Sequence, residues 1–541
     1  MRVLRVAVLI SAVAGFAMPA LARIDTDELA RIIDLPSARA AAVEDILAAT
    51  EDSGSRIEKD IVAAVRDFYK GRSFDLLWLG DLAETPQMAA LRAAMDKAAE
   101  HGLSPADYAT PKLAARYPDD ARALAEADVE FSLAAARFVT HIASGRIVPT
   151  DISPLITLEP EHPNLTKALA RLSQSADVAA DLAAFEPPHP QYAALKAALA
   201  KLRASAADDA ERIVVPEGAL LKPGKSDARA PLLRQRLGIG LAADTDPEVY
   251  DEPLVEAVMA FQTESGLNAD GIVGPQTLNL MNGRSREDEI AAVVANLERW
   301  RWMPRDLGAL NIFVNVPEFM VRVVKDGTVT HETRVIVGKP QNPTPTFSHV
   351  MSHLIVNPYW NVPASIIRNE LMPELRSNPW GFASQGYEIF GRVQGRMRQI
   401  DPRLVAWYAV DPRLIQIRQI PGDHNALGRI KFMFPNQHDV YLHDTPSKSL
   451  FKRDFRALSH GCVRVQNPFE FADALLPTAA PDWNSLRLKD LFSPQERRVD
   501  LAREIPVHLA YFTAWVEPGG ELRYFDDIYG YDGAIAGDPD A

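Results

Sequence analysis

The hydrophobic period of this chain changes near residue 300, and that change limits the folds the chain can adopt. Before it, apolar residues recur at helical spacing, as Ile61, Val65 and Phe68 do. After it, short β-rich runs follow one another, and two of them are joined by Asp326-Gly327, a dipeptide typical of hairpin turns. A chain of 541 residues is also too long for a single core. We therefore predict a multidomain α+β protein whose β-rich part is a mainly antiparallel sandwich or open barrel.

Helix breakers and shifts in composition suggest the domain boundaries. Residues 23–225 are rich in alanine and are divided by proline-containing breaks, so we predict a helical scaffold region that ends in a linker. Residues 226–283 are predicted to form a small helical module, and residues 300–480 the β-rich domain. Nothing in the sequence of the scaffold region suggests a catalytic role.

A long insertion with few strand signals, residues 363–425, interrupts the β-rich domain. Such insertions are usually functional or disordered, and the aromatic content of this one disfavours disorder. We expect a lid over a functional site, with a second core cluster as the alternative. Residues 481–541 are predicted to be a C-terminal segment that ends in a solvated acidic tail. The acidic residues of that tail are Asp526, Asp527, Asp532, Asp538 and Asp540.

The N-terminus has the pattern of a signal peptide, which we assign to residues 1–22. Arg2 and Arg5 precede an apolar run over residues 6–16, and residues 19–22 form an A-x-A cleavage site. The apolar run is short for a bilayer span. We therefore predict cleavage and export, with an uncleaved membrane anchor as the alternative.

Charge and cysteine content exclude several classes of protein. The net charge of −14 leaves no basic surplus to neutralise phosphates, so we expect no nucleic-acid partner. The single cysteine excludes an internal disulfide and a zinc cluster built on several cysteines. In an oxidising compartment a lone thiol avoids wrong pairing, and its retention there is consistent with a catalytic role.

The lone cysteine, Cys462, lies near two histidines in the sequence, His443 and His460. A lone thiol with such neighbours is a candidate nucleophile with an imidazole base. The thiolate is the nucleophile, and an ordinary thiol pKa of about 8.5 leaves little of it at neutral pH, so the imidazole would take the proton and form an ion pair. The preceding Gly461 allows close backbone approach. We predict an oxyanion hole made of the main-chain N–H groups of His460, Gly461 and Cys462.

Three further residues of this stretch are expected to contact substrate, namely Arg464, Tyr441 and Ser459. Arg464 follows the cysteine by two positions, and its guanidinium suits a substrate carboxylate. An internal salt bridge of Arg464 is the alternative. His460 is expected to shape the loop rather than act as the base.

Two other interpretations of the cysteine stay open at this point. Cys462 alone would more often be an inert, small apolar residue. A zinc hydrolase would use His443, His460 and Cys462, or the pair His349 and His353, although no HExxH motif occurs.

The pattern His443, fifteen intervening residues, and then Ser459-His460-Gly461-Cys462 resembles the signature of the L,D-transpeptidase family, with its YkuD-like catalytic domain. The flanking segments NPYWNVPASI, RQIPGDHNALGRIKFMFPN and YLHDTP resemble the large YcbB-type murein L,D-transpeptidases more specifically. The segment AVMAFQTESGLNADGIVGPQT in the small helical module resembles a peptidoglycan-binding domain. A purely structural spacer is the alternative for that module.

The resemblance implies a two-step acyl transfer in cell-wall remodelling. Cys462 would form a thioester with the third residue of a tetrapeptide stem and release D-Ala, and the side-chain amine of a second stem would resolve it as a 3→3 cross-link. His443 would act as base and then as acid, oriented either by Asp444 or by a main-chain carbonyl. No cofactor or metal is implied, and carbapenems are expected to acylate the thiol. From the predicted signal peptide we expect a periplasmic location. The resemblance implies peptidoglycan peptide stems as the substrate, and we expect a monomer with other cell-wall synthases as candidate partners.

The acyl acceptor stays open within this family. Water as acceptor would make the protein an L,D-carboxypeptidase, and a protein lysine would make it a lipoprotein-to-peptidoglycan ligase. A non-catalytic peptidoglycan-binding protein, built around residues 232–283, is the further alternative.

Overall fold

The computed structural model describes residues 37–50, 54–80, 83–110, 120–205, 213–265 and 267–536. The predicted signal peptide, residues 1–22, lies outside them, as do Asp538 and Asp540 of the predicted tail. The chain divides into two compact units, and each is described by itself. The first comprises residues up to 99, 103–146 and 162–186, and the second comprises residues 100–102, 147–161 and from 187 onward. No described helix combines the length and the apolar character that a bilayer crossing requires.

The elements follow one another along the chain in two sets. The helices are α1 Ala38–Ala49, α2 Arg56–Gly71, α3 Pro86–Met95, α4 Ala121–Ser144, α5 Pro149–Ile152, α6 Leu165–Ser173, α7 Val178–Ala183, α8 Pro190–Ala204, α9 Ala230–Leu237, α10 Glu252–Glu264, α11 Pro275–Asn282, α12 Arg286–Trp302, α13 Ala364–Ile366, α14 Met372–Ser377, α15 Pro379–Ser384, α16 Pro468–Ala479, α17 Ser485–Asp490 and α18 Asp532–Ala536. The strands are β1 Leu79–Gly80, β2 Ala83–Glu84, β3 Leu310–Asn315, β4 Met320–Lys325, β5 Thr328–Gly338, β6 Phe347–Val356, β7 Trp360–Asn361, β8 Tyr387–Val393, β9 Arg396–Ile400, β10 Ile415–Gln419, β11 Ile430–Met433, β12 Leu442–His443, β13 Ala457–Ser459, β14 Val463–Val465, β15 Arg497–Ala510, β16 Ala514–Val516 and β17 Leu522–Tyr524.

The first unit is helical, as predicted, and its helices pack around the long helix α4. The Ser55 hydroxyl accepts the N–H of Glu58 and so caps the start of α2, whose apolar residues at helical spacing are buried. The carboxylate of Asp128, which lies on α4 and is fully buried, accepts the main-chain N–H groups of Leu77 and Trp78 at 2.9 and 2.7 Å. It also accepts the hydroxyl of Tyr69. This buried network ties the β1 segment to two helices.

The small module of the second unit contains α9, α10 and α11 around its own apolar core. Gln262 on α10 is buried and organises the loop that follows, because its side chain accepts the N–H of Gly271 and donates to the Ile272 carbonyl. Gly271 has a φ of +68°, which glycine adopts without strain. Pro275 opens α11, a position that suits proline because its missing N–H would have no partner within the helix.

The β-rich part of the second unit closes into a barrel. The strand order is β13-β5-β14-β12-β11-β6-β15-β3-β4, and β4 also pairs with β5, so eight strands form a ring. Two neighbouring pairs of that ring are parallel, β12 with β14 and β3 with β15, and the other pairs are antiparallel. Inward-facing residues of all these strands form one continuous core with α12 and α16. The predicted multidomain α+β class, with a mainly antiparallel barrel, is confirmed.

The insertion within residues 363–425 contains more strand than the sequence suggested. Strands β7, β10, β8 and β9 form a separate antiparallel sheet in that order, and a π-helical turn over Ile367–Leu371 lies between α13 and α14. Gln394 and Gly395 both have positive φ, at 51° and 79°, as a tight hairpin turn requires. The insertion has an apolar core of its own, so the alternative of a second core cluster is correct for its interior.

The predicted C-terminal segment, residues 481–541, is not a separate tail. Strand β15 lies between β6 and β3 in the barrel ring, so the barrel extends well beyond residue 480. Asp532 accepts a hydrogen bond from buried Arg299 at 2.5 Å, and Asp527 accepts one from the hydroxyl of Tyr511 at 2.5 Å. These carboxylates are internal partners, and the prediction of a solvated acidic tail is wrong for them.

Candidate active site

Two short neighbouring strands, β12 and β14, carry the residues predicted to be catalytic. They run parallel, with Leu442 opposite Val463 and His443 opposite Arg464. Leu442 and Val463 are fully buried in the barrel core. Because side chains alternate along a strand, His443 and Arg464 lie on the other face, together with Cys462, which immediately precedes β14. The sequence therefore brings the thiol and the imidazole to adjacent positions on one side of the sheet.

The imidazole of His443 is buried and held by the main chain. Its Nδ1 donates to the carbonyl oxygen of Asp444 at 2.5 Å, which leaves Nε2 as the proton-accepting nitrogen. The Asp444 carboxylate instead accepts the Lys448 ammonium at 2.6 Å and the Arg429 N–H at 2.9 Å. Burial, followed by the positive charge of Arg464, lowers the pKa of His443 to about 3. The main-chain carbonyl of Asp444, rather than its carboxylate, orients a neutral imidazole.

The Cys462 thiol is half-buried and neutral. Its Sγ–H points to the carbonyl oxygen of Asp439, with 3.9 Å between sulfur and oxygen. Burial raises the pKa of this thiol to about 11, and the N–H of Tyr441 and the charge of Arg464 only partly offset that rise. With His443 also neutral, the resting pair is thiol and imidazole, in contrast to the ion pair suggested by ordinary pKa values.

The loop that holds Cys462 is closed by hydrogen bonds of its own. The N–H of Gly461 donates to Ser459 Oγ at 3.1 Å, and that hydroxyl donates to the Cys462 carbonyl at 2.5 Å. Ser459 is 2% exposed, so its predicted contact with substrate is wrong. The Gly461 N–H is already bonded here, which removes it from the predicted oxyanion hole and leaves the N–H groups of His460 and Cys462 as the predicted donors.

Glycine is required at position 461 for its backbone conformation, with a φ of +117°. A side chain there would have room, since the nearest atom to a Cβ would be the Pro343 carbonyl oxygen at 3.7 Å. The sequence analysis explained Gly461 by close backbone approach, and that reason is wrong. Glycine suits this position because of its positive φ.

A second loop, which contains Thr344, holds the main chain of Gly461 in place. Thr344 Oγ1 donates to the Gly461 carbonyl and accepts the N–H of Gly338, both at 2.8 Å. The hydroxyl of Tyr529 donates to the Gly338 carbonyl at 2.7 Å and accepts the N–H of Thr344 at 3.0 Å. Sequence reasoning missed Thr344 and Tyr529, because their role depends on contacts between distant parts of the chain.

His460 faces outward and contacts the insertion. Its Nε2 lies 2.5 Å from Glu370 Oε1 on the π-helical turn, and 3.3 Å from Lys339 Nζ. A nitrogen that donates to a carboxylate is not available as the base, which agrees with the expected loop-shaping role. Through Glu370, the insertion contacts the residue two positions before Cys462, and its role as a lid stays a prediction.

Cationic and aromatic side chains complete the face around the thiol. Arg464 forms no ion pair with any residue that the structure describes, and its buried Nε has no partner, so the salt-bridge alternative is wrong. The rings of Tyr441 and His443 are 5.7 Å apart in a T-shaped arrangement. Lys431 Nζ lies 5.5 Å from the centre of the Tyr441 ring. Sequence reasoning missed Lys431, whose only signal is its alternate position within β11.

The zinc alternative lacks a set of ligands. Within the described ranges, no three His, Cys, Asp or Glu side chains cluster as metal ligands. Nδ1 of His443 is bonded to the main chain, and His460 faces Glu370. Among the described residues, His443, His460 and Cys462 therefore do not form a set of three metal ligands.

Comparisons with known proteins match three segments of the chain to protein families. Residues 311–482 match the family model described as "L,D-transpeptidase catalytic domain", residues 63–199 match "Scaffold domain", and residues 235–281 match "Putative peptidoglycan binding domain". A curated relative from Haemophilus influenzae, named "Putative L,D-transpeptidase", is 35% identical over 290 residues, which are 53% of this chain. The chain spans 57% of the length of that relative.

Two solved structures are similar at a low level. An L,D-transpeptidase from Mycobacterium smegmatis has a TM-score of 0.18 at 15% identity, covering 37% of this chain and 58% of that one. An L,D-transpeptidase from Xylanimonas cellulosilytica has a TM-score of 0.15 at 16% identity, covering 54% of this chain and 98% of that one. These scores add nothing to the assignment, which rests on the family models and the curated relative. Residues 311–482 thus belong to the L,D-transpeptidase catalytic domain family, in a chain that also carries a scaffold domain and a domain of the peptidoglycan-binding family.

Proposed function

We propose that this protein is a peptidoglycan L,D-transpeptidase in which Cys462 is the nucleophile and His443 the general base. The observation that supports this most directly is the parallel pairing of β12 with β14, which puts both side chains on one face. The bond from His443 Nδ1 to the Asp444 carbonyl adds to it, because it fixes the tautomer whose Nε2 accepts a proton.

The first half-reaction is acyl transfer to sulfur. Cys462 Sγ attacks the carbonyl carbon of the third residue of a tetrapeptide stem while its proton passes to His443 Nε2. The oxyanion that develops is stabilised by the N–H groups of His460 and Cys462. When the C–N bond breaks, the leaving amine of D-Ala takes the proton back from Nε2, and a thioester remains on Cys462.

The second half-reaction returns the enzyme to its starting state. The side-chain amine of another stem attacks the thioester carbonyl and gives its proton to His443 Nε2. The C–S bond then breaks, the proton returns to Cys462 Sγ, and a 3→3 cross-link has formed. One amide bond is broken and one is made, so the residues present balance the reaction without a nucleotide.

The neutral resting pair determines how the proton moves. The pKa of Cys462 is raised to about 11 and that of His443 is lowered to about 3, so a thiolate–imidazolium pair is disfavoured before substrate binds. Proton transfer therefore accompanies the attack of sulfur on carbon. A substrate that excludes water and supplies a developing negative charge favours the transfer at that moment.

The other domains are consistent with action on the cell wall. The module within residues 235–281 would hold the enzyme on peptidoglycan, and the N-terminal segment would direct the protein to the periplasm. The enzyme would work as a monomer on peptide stems and be acylated at Cys462 by carbapenems.

The test is mass spectrometry of the purified protein with a disaccharide-tetrapeptide, wild type beside Cys462→Ala. A 3→3 linked dimer and free D-Ala from the wild type alone would support the proposal. Release of D-Ala without dimer would change the assignment to an L,D-carboxypeptidase or to a ligase that uses another acceptor. No turnover and no carbapenem adduct on Cys462 would refute the catalytic proposal and leave a wall-binding protein.

A further inference from the structure

Three residues form a row across neighbouring strands beside the nucleophile. Lys431 on β11 lies opposite His443 on β12, and His443 lies opposite Arg464 on β14. Since neighbouring strands are about 4.8 Å apart, the backbones at Lys431 and Arg464 are separated by about 10 Å, with the imidazole between them. Both cationic side chains project from the same face as Cys462, which precedes Arg464 by two residues.

These two cations have no anionic partner among the residues that the structure describes. Arg464 forms no ion pair there and has a buried Nε without a hydrogen bond, and the side-chain ammonium of Lys431 forms neither an ion pair nor a hydrogen bond with those residues. The acid that acts most on Lys431 is Glu496, whose Oε2 accepts the N–H of Tyr359 at 2.9 Å. Half-buried positive charges are costly unless they are paired. Burial also lowers the pKa of both groups, because it removes water from around their positive charges.

We propose that Lys431 and Arg464 together bind the carboxylate of the terminal residue of the donor stem. This inference rests on the function proposed above, and it adds the feature of the substrate that the site recognises. In an attacked tetrapeptide, that carboxylate lies one residue beyond the scissile carbonyl, or about 3.5 Å of chain. Arg464 lies two strand residues beyond Cys462, or roughly 7 Å, and its long side chain bridges the difference.

This subsite gives a physical reason why the enzyme would select a four-residue stem over a five-residue stem. In a four-residue stem the group next to the scissile bond is a free carboxylate, which pairs with both cations. In a five-residue stem the same position is a neutral amide, so Lys431 and Arg464 stay unpaired beneath the bound peptide. A site that leaves buried charges unpaired in the wrong complex rejects that substrate.

The experiment compares donors that differ in one charge. The donors are the disaccharide-tetrapeptide with a free terminal carboxylate, the same compound as its terminal carboxamide, and a third amidated only on the side chain of the third residue. Release of the terminal residue is followed as kcat/KM for wild type, Lys431→Met and Lys431→Arg. Lys325→Met is the matched control, since Lys325 is an exposed lysine on strand β4 of the same barrel.

The wild type should prefer the free terminal carboxylate over the carboxamide by about 10- to 100-fold, the worth of one charge-assisted hydrogen bond. Lys431→Met should lose that preference, because its kcat/KM should fall only on the free acid. Lys431→Arg should restore much of the preference. Lys325→Met should behave as wild type.

Three results would overturn the inference. The wild type could have equal kcat/KM on the free acid and the terminal carboxamide, or Lys431→Met could lower kcat/KM equally on both donors. The third is a wild-type kcat/KM that falls only for the donor amidated on the side chain of its third residue. In each of these the wild type still turns over the free acid, so the proposed function survives. No release from any donor would refute that function itself.

Discussion

The buried ion pair between Arg299 and Asp532 offers a quantitative test of how the C-terminal segment joins the barrel. The Arg299 side chain is 4% exposed and that of Asp532 16%, and the pair is 2.5 Å apart. Arg299 also donates to Thr513 Oγ1 at 3.2 Å, and its Nη2 has no partner. Asp532 is therefore the only charge that balances this guanidinium among the described residues within salt-bridge distance of it.

Substituting Asp532→Asn removes that charge while keeping the shape of the side chain. Breaking a buried pair by removing one partner costs roughly 3 to 5 kcal/mol, because the other charge is left buried and uncompensated. The amide oxygen still accepts one hydrogen bond and Asp532 is partly exposed, so we expect the lower end, about 3 kcal/mol. Asp500→Asn is the matched control, since its partner Arg498 and Asp500 itself are both more than half exposed. That exposed pair should contribute about 1 kcal/mol at most.

The measurement is urea unfolding of the full chain, followed by tryptophan fluorescence. Seven of the eight tryptophans belong to the unit that contains the barrel, so the signal reports mainly on that unit. Asp532→Asn should lower the free energy of unfolding by about 3 kcal/mol relative to wild type. A loss no greater than that of Asp500→Asn would refute the view that the segment after β15 is held by internal charge pairing.

Three further outcomes follow from groups in the catalytic site and in the scaffold. Burial lowers the pKa of His443 to about 3, and the neutral imidazole is the proposed base, so kcat/KM should stay level as pH falls through 6.5; an acid limb near pH 6.5 would contradict this. Gly461→Ala should cost roughly 1 to 3 kcal/mol of backbone strain at a φ of +117° and slow carbapenem acylation of Cys462, measured by mass spectrometry; an unchanged rate would show that the loop tolerates a side chain. Asp128→Asn should destabilise the scaffold unit by roughly 1 to 3 kcal/mol, because an amide cannot accept two N–H groups and the Tyr69 hydroxyl together; unchanged resistance of that unit to limited proteolysis would count against the network.

Local patterns predicted much of the barrel and missed the elements that depend on distant pairing. The hairpin at Asp326-Gly327 was recognised because its turn residues and flanking strands are contiguous. Strand β15 was missed because charged residues and Pro506 interrupt it, yet Pro506 lies opposite Val350 in the ring. The outward face of β15 is polar, so the strand is recognised only from its pairing with β6 and β3.

The strands of the insertion were also missed. Glycines interrupt their sequence pattern, and Gly386 and Gly395 lie in turns with positive φ.

In the candidate active site, the sequence motif identified His443 and Cys462 by their residue types. The charge states of both residues depend on burial, which the motif does not encode. The spacing of His443 and Cys462 was visible because both residues belong to one continuous motif. Their neutral charge states were not, since the pKa of each depends on how deeply the fold buries it. Lys431 was invisible for a related reason. A lysine at an alternate strand position looks like an ordinary solvent-facing residue until its neighbours across the sheet are known.

The brace beneath the nucleophile loop has a consequence for the order of events during biosynthesis. A ribosome makes Cys462 before it makes strand β15 and Tyr529, which close the barrel and hold Gly338 and Thr344 in place. Until those later residues have emerged and docked, the loop of Cys462 lacks the support that Thr344 and Tyr529 give it. The nascent chain therefore carries Cys462 before the arrangement proposed for catalysis can assemble, and that arrangement is complete only after the last strands have docked.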